Sequence, residues 1–202
     1  MLILFVCTGN ICRSPMGELL LAKYLSGTTI RVASAGTRGL AQHEMDRYSA
    51  RLMRSVDIEP SGFRSRRLTR PMAEEADLIL CFEKKQRKDI VTLAPNAVRY
   101  TFLVDDFANM CQYCAQQGLI EGLTVQERLE SVIRASTIIR PMLPKAKDIE
   151  DPISKPFEVF VEVANELNRD LCAMLSALKK HHRVNAAPTR QRIAPLNEAY
   201  AA

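Results

Sequence analysis

The sequence has no apolar run near the roughly 18 residues that a membrane-spanning helix requires. Its apolar start, Leu2 to Val6, gives way to polar residues after Cys7 and has no basic segment ahead of it. That is too short for the apolar core of a signal peptide, so a cytoplasmic protein is expected. Histidine is scarce: only His43, His181 and His182 occur, and no His/Cys/Asp cluster has metal-ligand spacing. No metal and no cofactor are expected. Internal repeats and low-complexity blocks are also missing, which excludes solenoid architectures. Excess charge is small outside one end. Of the net +5, residues 179 to 202 supply +4, from Lys179, Lys180, Arg183, Arg190 and Arg192 against Glu198. The remainder is near +1, so the basic balance marks a solvated tail, and no nucleic-acid partner is expected. The six cysteines should be reduced thiols, catalytic or buried, rather than a disulfide framework.

What is present suits one α/β domain with appendages. The chain has 202 residues, 47% of them apolar, enough for a sizeable core. Residues 2 to 7 form a continuous apolar run, as a buried parallel strand does. Residues 30 to 35, 77 to 82 and 98 to 101 read as three more strands. Helical spacing marks a stretch beginning at Ser14-Pro15, with Ser14 as the expected N-cap and Pro15 in the first turn. Further helices are expected at about 46 to 55, 83 to 93, 104 to 117, 124 to 142 and 157 to 178. Alternating strands and helices predict a three-layer α/β/α sandwich around a four-stranded parallel sheet. Active sites in such sheets lie at the carboxyl ends of strands. After Lys179 the helical pattern stops, and a disordered basic tail is expected to residue 202.

The loop Cys7-Thr8-Gly9-Asn10-Ile11-Cys12-Arg13-Ser14 follows the first strand directly. A turn from a strand into a helix N-terminus points backbone N–H groups inward and adds the positive end of a helix dipole. Gly9 should let the backbone bend where a side chain would obstruct it. Arg13 offers a planar fork for two phosphate oxygens. The same field favours a thiolate at Cys7, so one cradle both binds phosphate and prepares a nucleophile. Cys and Arg at this spacing are a weak signal alone, because Cys81 and Arg87 have it too. The residues between that second pair include no glycine, and Glu83 there would repel a phosphate; Cys81 reads as a buried strand residue.

Cleavage of a phosphate ester needs a proton for the leaving oxygen. Asp151-Pro152 stands out, since proline biases Asp151 away from helix just before the last helix. Chemistry alone leaves Asp148, Glu150, Asp105 and Asp106 as rivals.

The segment Val6 to Pro15 closely resembles the active-site segment of low-molecular-weight protein tyrosine phosphatases, including its position beside the N-terminus. Ile149-Glu150-Asp151-Pro152 and Phe157-Glu158-Val159-Phe160 resemble the region of that family that carries the general acid. The resemblance spans roughly 1 to 104 and 148 to 178. It implies a phosphatase domain over 1 to 178, with a helical insert at about 107 to 147. It implies Cys7 as nucleophile, Arg13 as clamp and Asp151 as acid, with Thr8, Gly9, Asn10, Ile11 and Cys12 around the phosphate. Ser34 would hold Asn10, Ser14 would steady the sulfur, and Cys12 could pair with Cys7 on oxidation. The implied substrate is a phosphotyrosine-bearing protein or a small phosphoester. Ile153 and Ser154 stand where aromatic residues often flank the acid, as does Leu40 at another such place, whereas Ile11 matches tyrosine-specific members.

The alternatives are a phosphoarginine phosphatase or an arsenate reductase that borrows an external thiol. A thioredoxin-coupled reductase would need two relay cysteines; Cys81 lies near the first place, but none follows before Cys111. Cys111 and Cys114 read as helix residues rather than a redox pair. A catalytically weak phosphoprotein-binding module is a further possibility, although a binder has no need of a general acid.

Overall fold

The computed structural model describes residues 1–39 and 41–179. The expectation for the tail lies outside these residues from 180 onward. Four strands, β1 (Leu2–Cys7), β2 (Arg31–Gly36), β3 (Leu78–Cys81) and β4 (Thr101–Leu103), form one parallel sheet in the order β2-β1-β3-β4. The helices are α1 (Arg13–Tyr24), α2 (Arg47–Arg54), α3 (Arg70–Glu75), α4 (Lys84–Leu93), α5 (Val104–Gln116), α6 (Val125–Ile139) and α7 (Phe157–Ala177).

Alternation along the strands produces the three layers. Ile3 and Phe5 of β1, with Leu78 and Leu80 of β3, face one core shared with α1, α5, α6 and α7. Leu4, Val6, Ile79 and Cys81 face the other, where Ala73 of α3 and Ile90 of α4 pack. A strand buried on both faces must be apolar at every position, which is why β1 and β3 read as continuous apolar runs. Register places Cys7 opposite Gly36, and Val6 opposite Cys81. The carboxyl ends of the three adjoining strands therefore open onto one edge, where the sheet order reverses.

Two local expectations are corrected. The fourth strand is Thr101–Leu103, not 98 to 101, because Pro95–Tyr100 forms a 3-10 turn first. Pro95 suits the first turn of such a helix, and pairing with Ile79 to Cys81 sets the register that follows. The first helix starts at Arg13 rather than after Ser14, with Cys12 at the cap position and no capping side chain. Ser14 is occupied elsewhere: its hydroxyl contacts Cys7 and Asn10. Helix α3, capped by Thr69, was not foreseen. The expected insert contains most of α5, all of α6 and the 3-10 turn Arg140–Met142. There Thr124 and Glu127 form a reciprocal capping box at the start of α6. Cys111 and Cys114 are fully buried free thiols on α5.

One contact in this architecture has a pH signature. Asp170 on α7 has a buried Oδ2 with no hydrogen-bond partner. Burial, reinforced by the charge of Asp105, pushes its carboxyl up to about 6. The folded protein thus holds a proton that the unfolded chain releases at its ordinary carboxylate value. This contribution to stability is fully present below that value and is lost as pH rises to about 6. Asp170→Asn should flatten this slope and raise the unfolding midpoint at neutral pH by roughly 2–4 °C. Thermal melts across the pH range check it, and an unchanged slope would refute the assignment.

Candidate active site

Cys7 ends β1 and is buried, 3% exposed. Its sulfur lies 3.0 Å from the Ser14 hydroxyl and receives the Asn10 backbone N–H at 3.3 Å. Asn10 holds the loop in shape. Its φ of 56° is left-handed, a conformation asparagine tolerates better than most residues. Its side-chain amide donates to Ser14 Oγ at 2.9 Å and to Ser34 Oγ at 2.8 Å, and its Oδ1 accepts the Arg66 backbone N–H at 2.8 Å. Ser34 in turn donates to Glu18 at 2.5 Å. Burial pushes the Glu18 carboxyl up, against the Ser34 hydrogen bond and the Arg66 charge.

The glycine expectation shifts by position. The left-handed turn sits at Asn10, and a Cβ at Gly9 would meet nothing in the protein nearer than Ile11 Cγ1 at 3.5 Å. The crowded glycine is Gly36, opposite Cys7. A Cβ there would lie 2.6 Å from Thr8 O and 2.9 Å from Asn10 N. Beside it, the N–H groups of Thr37 and Arg38 donate to Cys7 O and Thr8 O, each at 2.9 Å.

Arg13 begins α1 and is 1% exposed. Its Nη1 donates to Glu83 Oε1 at 2.6 Å and to Ile149 O at 2.9 Å. Its Nη2 lies 2.7 Å from Asp151 Oδ2. Its Nε is buried and has no hydrogen-bond partner. Sequence reasoning set Glu83 aside as a residue that would repel phosphate. The structure instead puts its carboxylate on the guanidinium. Gln86, also unforeseen, donates to Glu83 and to Thr8 Oγ1. The signal that could have found both is position: they immediately follow the carboxyl end of β3.

Among the acid candidates, only Asp151 contacts Arg13. Asp148 accepts the Lys84 N–H, Asp105 accepts the Lys147 N–H, Asp106 pairs with Arg140, and Glu150 pairs with Lys155. Asp151 also accepts the Ile153 N–H at 3.3 Å, a local turn of the kind aspartate favours. A cleft of about 370 Å³ beside Asp151 is lined by Thr8, Arg38, Glu83, Gln86 and Ile149 among others. Ile153 is exposed and Ser154 takes a left-handed φ of 63°; Leu40 lies outside the described residues.

Cys12 is buried, and burial, then the Asp46 charge, pushes its thiol up. Cys7 and Cys12 are both free thiols. Cys81 belongs to the core on the opposite face of the sheet from Cys7, and burial pushes its thiol up to about 12. That placement is unsuited to a disulfide relay. Among the described residues there is no His/Cys/Asp/Glu group fit to hold a metal, and no helix long and apolar enough to cross a membrane.

Residues 2–118 match the family model of the low molecular weight phosphotyrosine protein phosphatases. The low molecular weight protein-tyrosine-phosphatase Etp of Escherichia coli K12 is 43% identical over 101 residues, covering 50% of this chain and 67% of the relative. Among solved structures, the tyrosine phosphatase Wzb from Escherichia coli K30 superposes with a TM-score of 0.65 at 26% identity, covering 88% of this chain and 98% of the other. The YwlE arginine phosphatase from Geobacillus stearothermophilus superposes with a TM-score of 0.64 at 27% identity, covering 88% and 92%.

Replacing Gly36 tests how tightly the loop is seated. The atoms that a methyl group would meet are backbone atoms, which cannot rotate aside. Gly36→Ala should cost about 1–3 kcal/mol in denaturant unfolding, and a variant as stable as the parent would refute the close approach.

Proposed function

The chain belongs to the low molecular weight phosphotyrosine protein phosphatase family, and on that premise we propose that it hydrolyses phosphotyrosine with Cys7 as nucleophile, Arg13 as phosphate clamp and Asp151 as general acid and base. The observation that carries the assignment is the donor inventory of Arg13. Nη1 is engaged by Glu83 and Ile149 O, and Nη2 gives one hydrogen to Asp151. The buried Nε–H and the second Nη2 hydrogen form one edge of the fork. A phosphoryl group in the loop would accept both hydrogens through two of its oxygens.

In the first step the Cys7 thiolate attacks phosphorus. The S–P bond forms as the P–O bond to the leaving group breaks, and Asp151 delivers its proton to that oxygen. In the second, Asp151 takes a proton from water, whose oxygen attacks phosphorus; the S–P bond breaks and returns the thiolate with free phosphate. The Ser14 hydroxyl and Asn10 N–H, both in contact with the sulfur, support it as attacking and leaving group. Arg13 and the loop amides stabilise the transferring group throughout. Thr8, Gly9, Ile11 and Cys12 complete the cradle, and Ser34 holds it through Asn10.

The sequence relatives are named protein-tyrosine-phosphatases, which favours phosphotyrosine over phosphoarginine and arsenate. The physiological partner in this reading is a phosphotyrosine-bearing protein. Free cysteines throughout the described chain, and a nucleophile that must stay reduced, fit a cytoplasmic enzyme. We take residues 1 to 178 as the phosphatase domain, with a helical insert at about 107 to 147, the first part of which, to residue 118, lies within the family match.

Cys7→Ser should abolish p-nitrophenyl phosphate hydrolysis, and wild-type turnover in that variant would end the proposal. Asp151→Ala should lower kcat by on the order of 10²–10⁴ while orthophosphate still inhibits competitively. Unchanged turnover would pass the acid role to Glu150 or Asp148. Parallel assays on phosphotyrosine, phosphoarginine and arsenate test the ester class, and arsenate reduction without ester hydrolysis would overturn it.

A further inference from the structure

A second cavity, of about 540 Å³, lies between α4 and the chain that follows α6. Four of its lining side chains are cationic: Lys84 and Arg87 from α4, Arg140 just after α6, and Lys145 in the segment leading to the acid. The one carboxylate in the lining is Asp106, at the start of α5. Asp106 is buried, and its Oδ2 lies 2.7 Å from an Arg140 nitrogen. Pairing Asp106 with Arg140 leaves three further cations in the lining, Lys84, Arg87 and Lys145, with the Asp148 carboxylate outside the lining on the Lys84 backbone N–H.

The guanidinium of Arg87 is anchored without any carboxylate. Its Nε–H donates to Thr101 O at 2.9 Å and a terminal N–H reaches Val98 O at 3.4 Å. Burial first, and then the charge of Arg140, pushes Arg87 below its ordinary value. The two guanidiniums are therefore close enough to repel. Pro141 and Pro144 stiffen the wall that carries Arg140 and Lys145. Cations fixed around a partly desolvated space raise the local positive potential, and an anion relieves it. Guanidinium forks and ammonium groups are well matched to phosphate oxygens.

We propose that this cavity binds a small polyanion bearing two phosphoryl groups, at a site separate from the Cys7 loop. Two groups suit it better than one, because a single phosphoryl group carries about −1.5 to −2, short of the three charges to be met. Residues 140 to 146, which form one wall, lie beyond residue 118, where the match to the family model ends. The site is thus built from α4, the start of α5 and the segment after α6, and it does not depend on the roles assigned to Cys7 or Asp151.

Inorganic pyrophosphate is the probe. Calorimetric titration of the full chain, with saturating orthophosphate present to fill the Cys7 loop, should show one saturable site. Lys84→Glu/Lys145→Glu reverses two exposed charges and leaves the pair of Arg140 with the buried Asp106 in place. The double variant should bind pyrophosphate at least about tenfold more weakly, with p-nitrophenyl phosphate turnover and its inhibition by orthophosphate unchanged. Absence of saturable binding to the parent protein, or equal affinity in the double variant, would overturn the site. Loss of turnover in the parent protein would instead bear on the phosphatase assignment alone.

Discussion

A guanidinium that is 1% exposed must be surrounded by partners, since an unpaired charge in a protein interior is strongly disfavoured. In this chain the partners of Arg13 come from two other segments that meet it at the sheet edge. Glu83 arrives from the turn after β3, and Ile149 O and Asp151 arrive from the stretch before α7. Removing one partner would leave the buried guanidinium less well satisfied, which destabilises the arrangement. The requirement to satisfy Arg13 therefore binds three distant parts of the sequence into one place. Nε of the fork has no hydrogen-bond partner among the described residues.

The loop beside it is held by a different means. Asn10 makes neutral hydrogen bonds to Ser14, Ser34 and the Arg66 backbone, and all three polar side chains are buried. Buried amides and hydroxyls rigidify a structure only when they are fully partnered, and here each engages more than one neighbour. The loop can thus keep a left-handed residue and a thiol at its base without collapsing onto them. Gly36 contributes by being small: it lets β2 come against the loop backbone so that Cys7 O and Thr8 O are capped from the neighbouring strand. Loop geometry is consequently fixed by the sheet before any ligand arrives, which is what preorganised stabilisation of a transferring phosphoryl group demands.

Much of this was legible in the sequence because it lies in local patterns. The apolar runs at 2 to 7 and 77 to 82 announced the buried strands, and the Cys7–Ser14 loop announced an anion site. What was illegible depends on contacts between distant segments. Glu83 looked hostile to phosphate when taken alone; its role appears only once Arg13 lies against it. Ser14 has every local attribute of an N-cap, yet contact with Cys7 and Asn10 outweighs that propensity. The fourth strand was placed too early because pairing with β3, which selects Thr101 to Leu103, has no local signature. Gly9 attracted attention by composition, whereas the glycine that sterics demand is Gly36, distant in sequence and across a ladder.

The division of labour proposed for Arg13 and Asp151 is consistent with where each sits. Arg13 is locked in the interior by partners on three sides. Asp151 is nearly half exposed and, besides Arg13, meets the Ile153 N–H. Its approach is nevertheless set by the core: Ile149 N–H donates to Phe82 O, and Asp148 and Lys147 are tied to α4 and α5. A clamp for an anion gains from rigidity, because every reorientation would weaken it in the transition state. A group that gives a proton to a departing alcohol and then takes one from water needs access to both. Anchoring the segment just before Asp151 while leaving its carboxylate at the cleft mouth meets both demands, and it does so by extending the same contacts that keep the Arg13 charge satisfied.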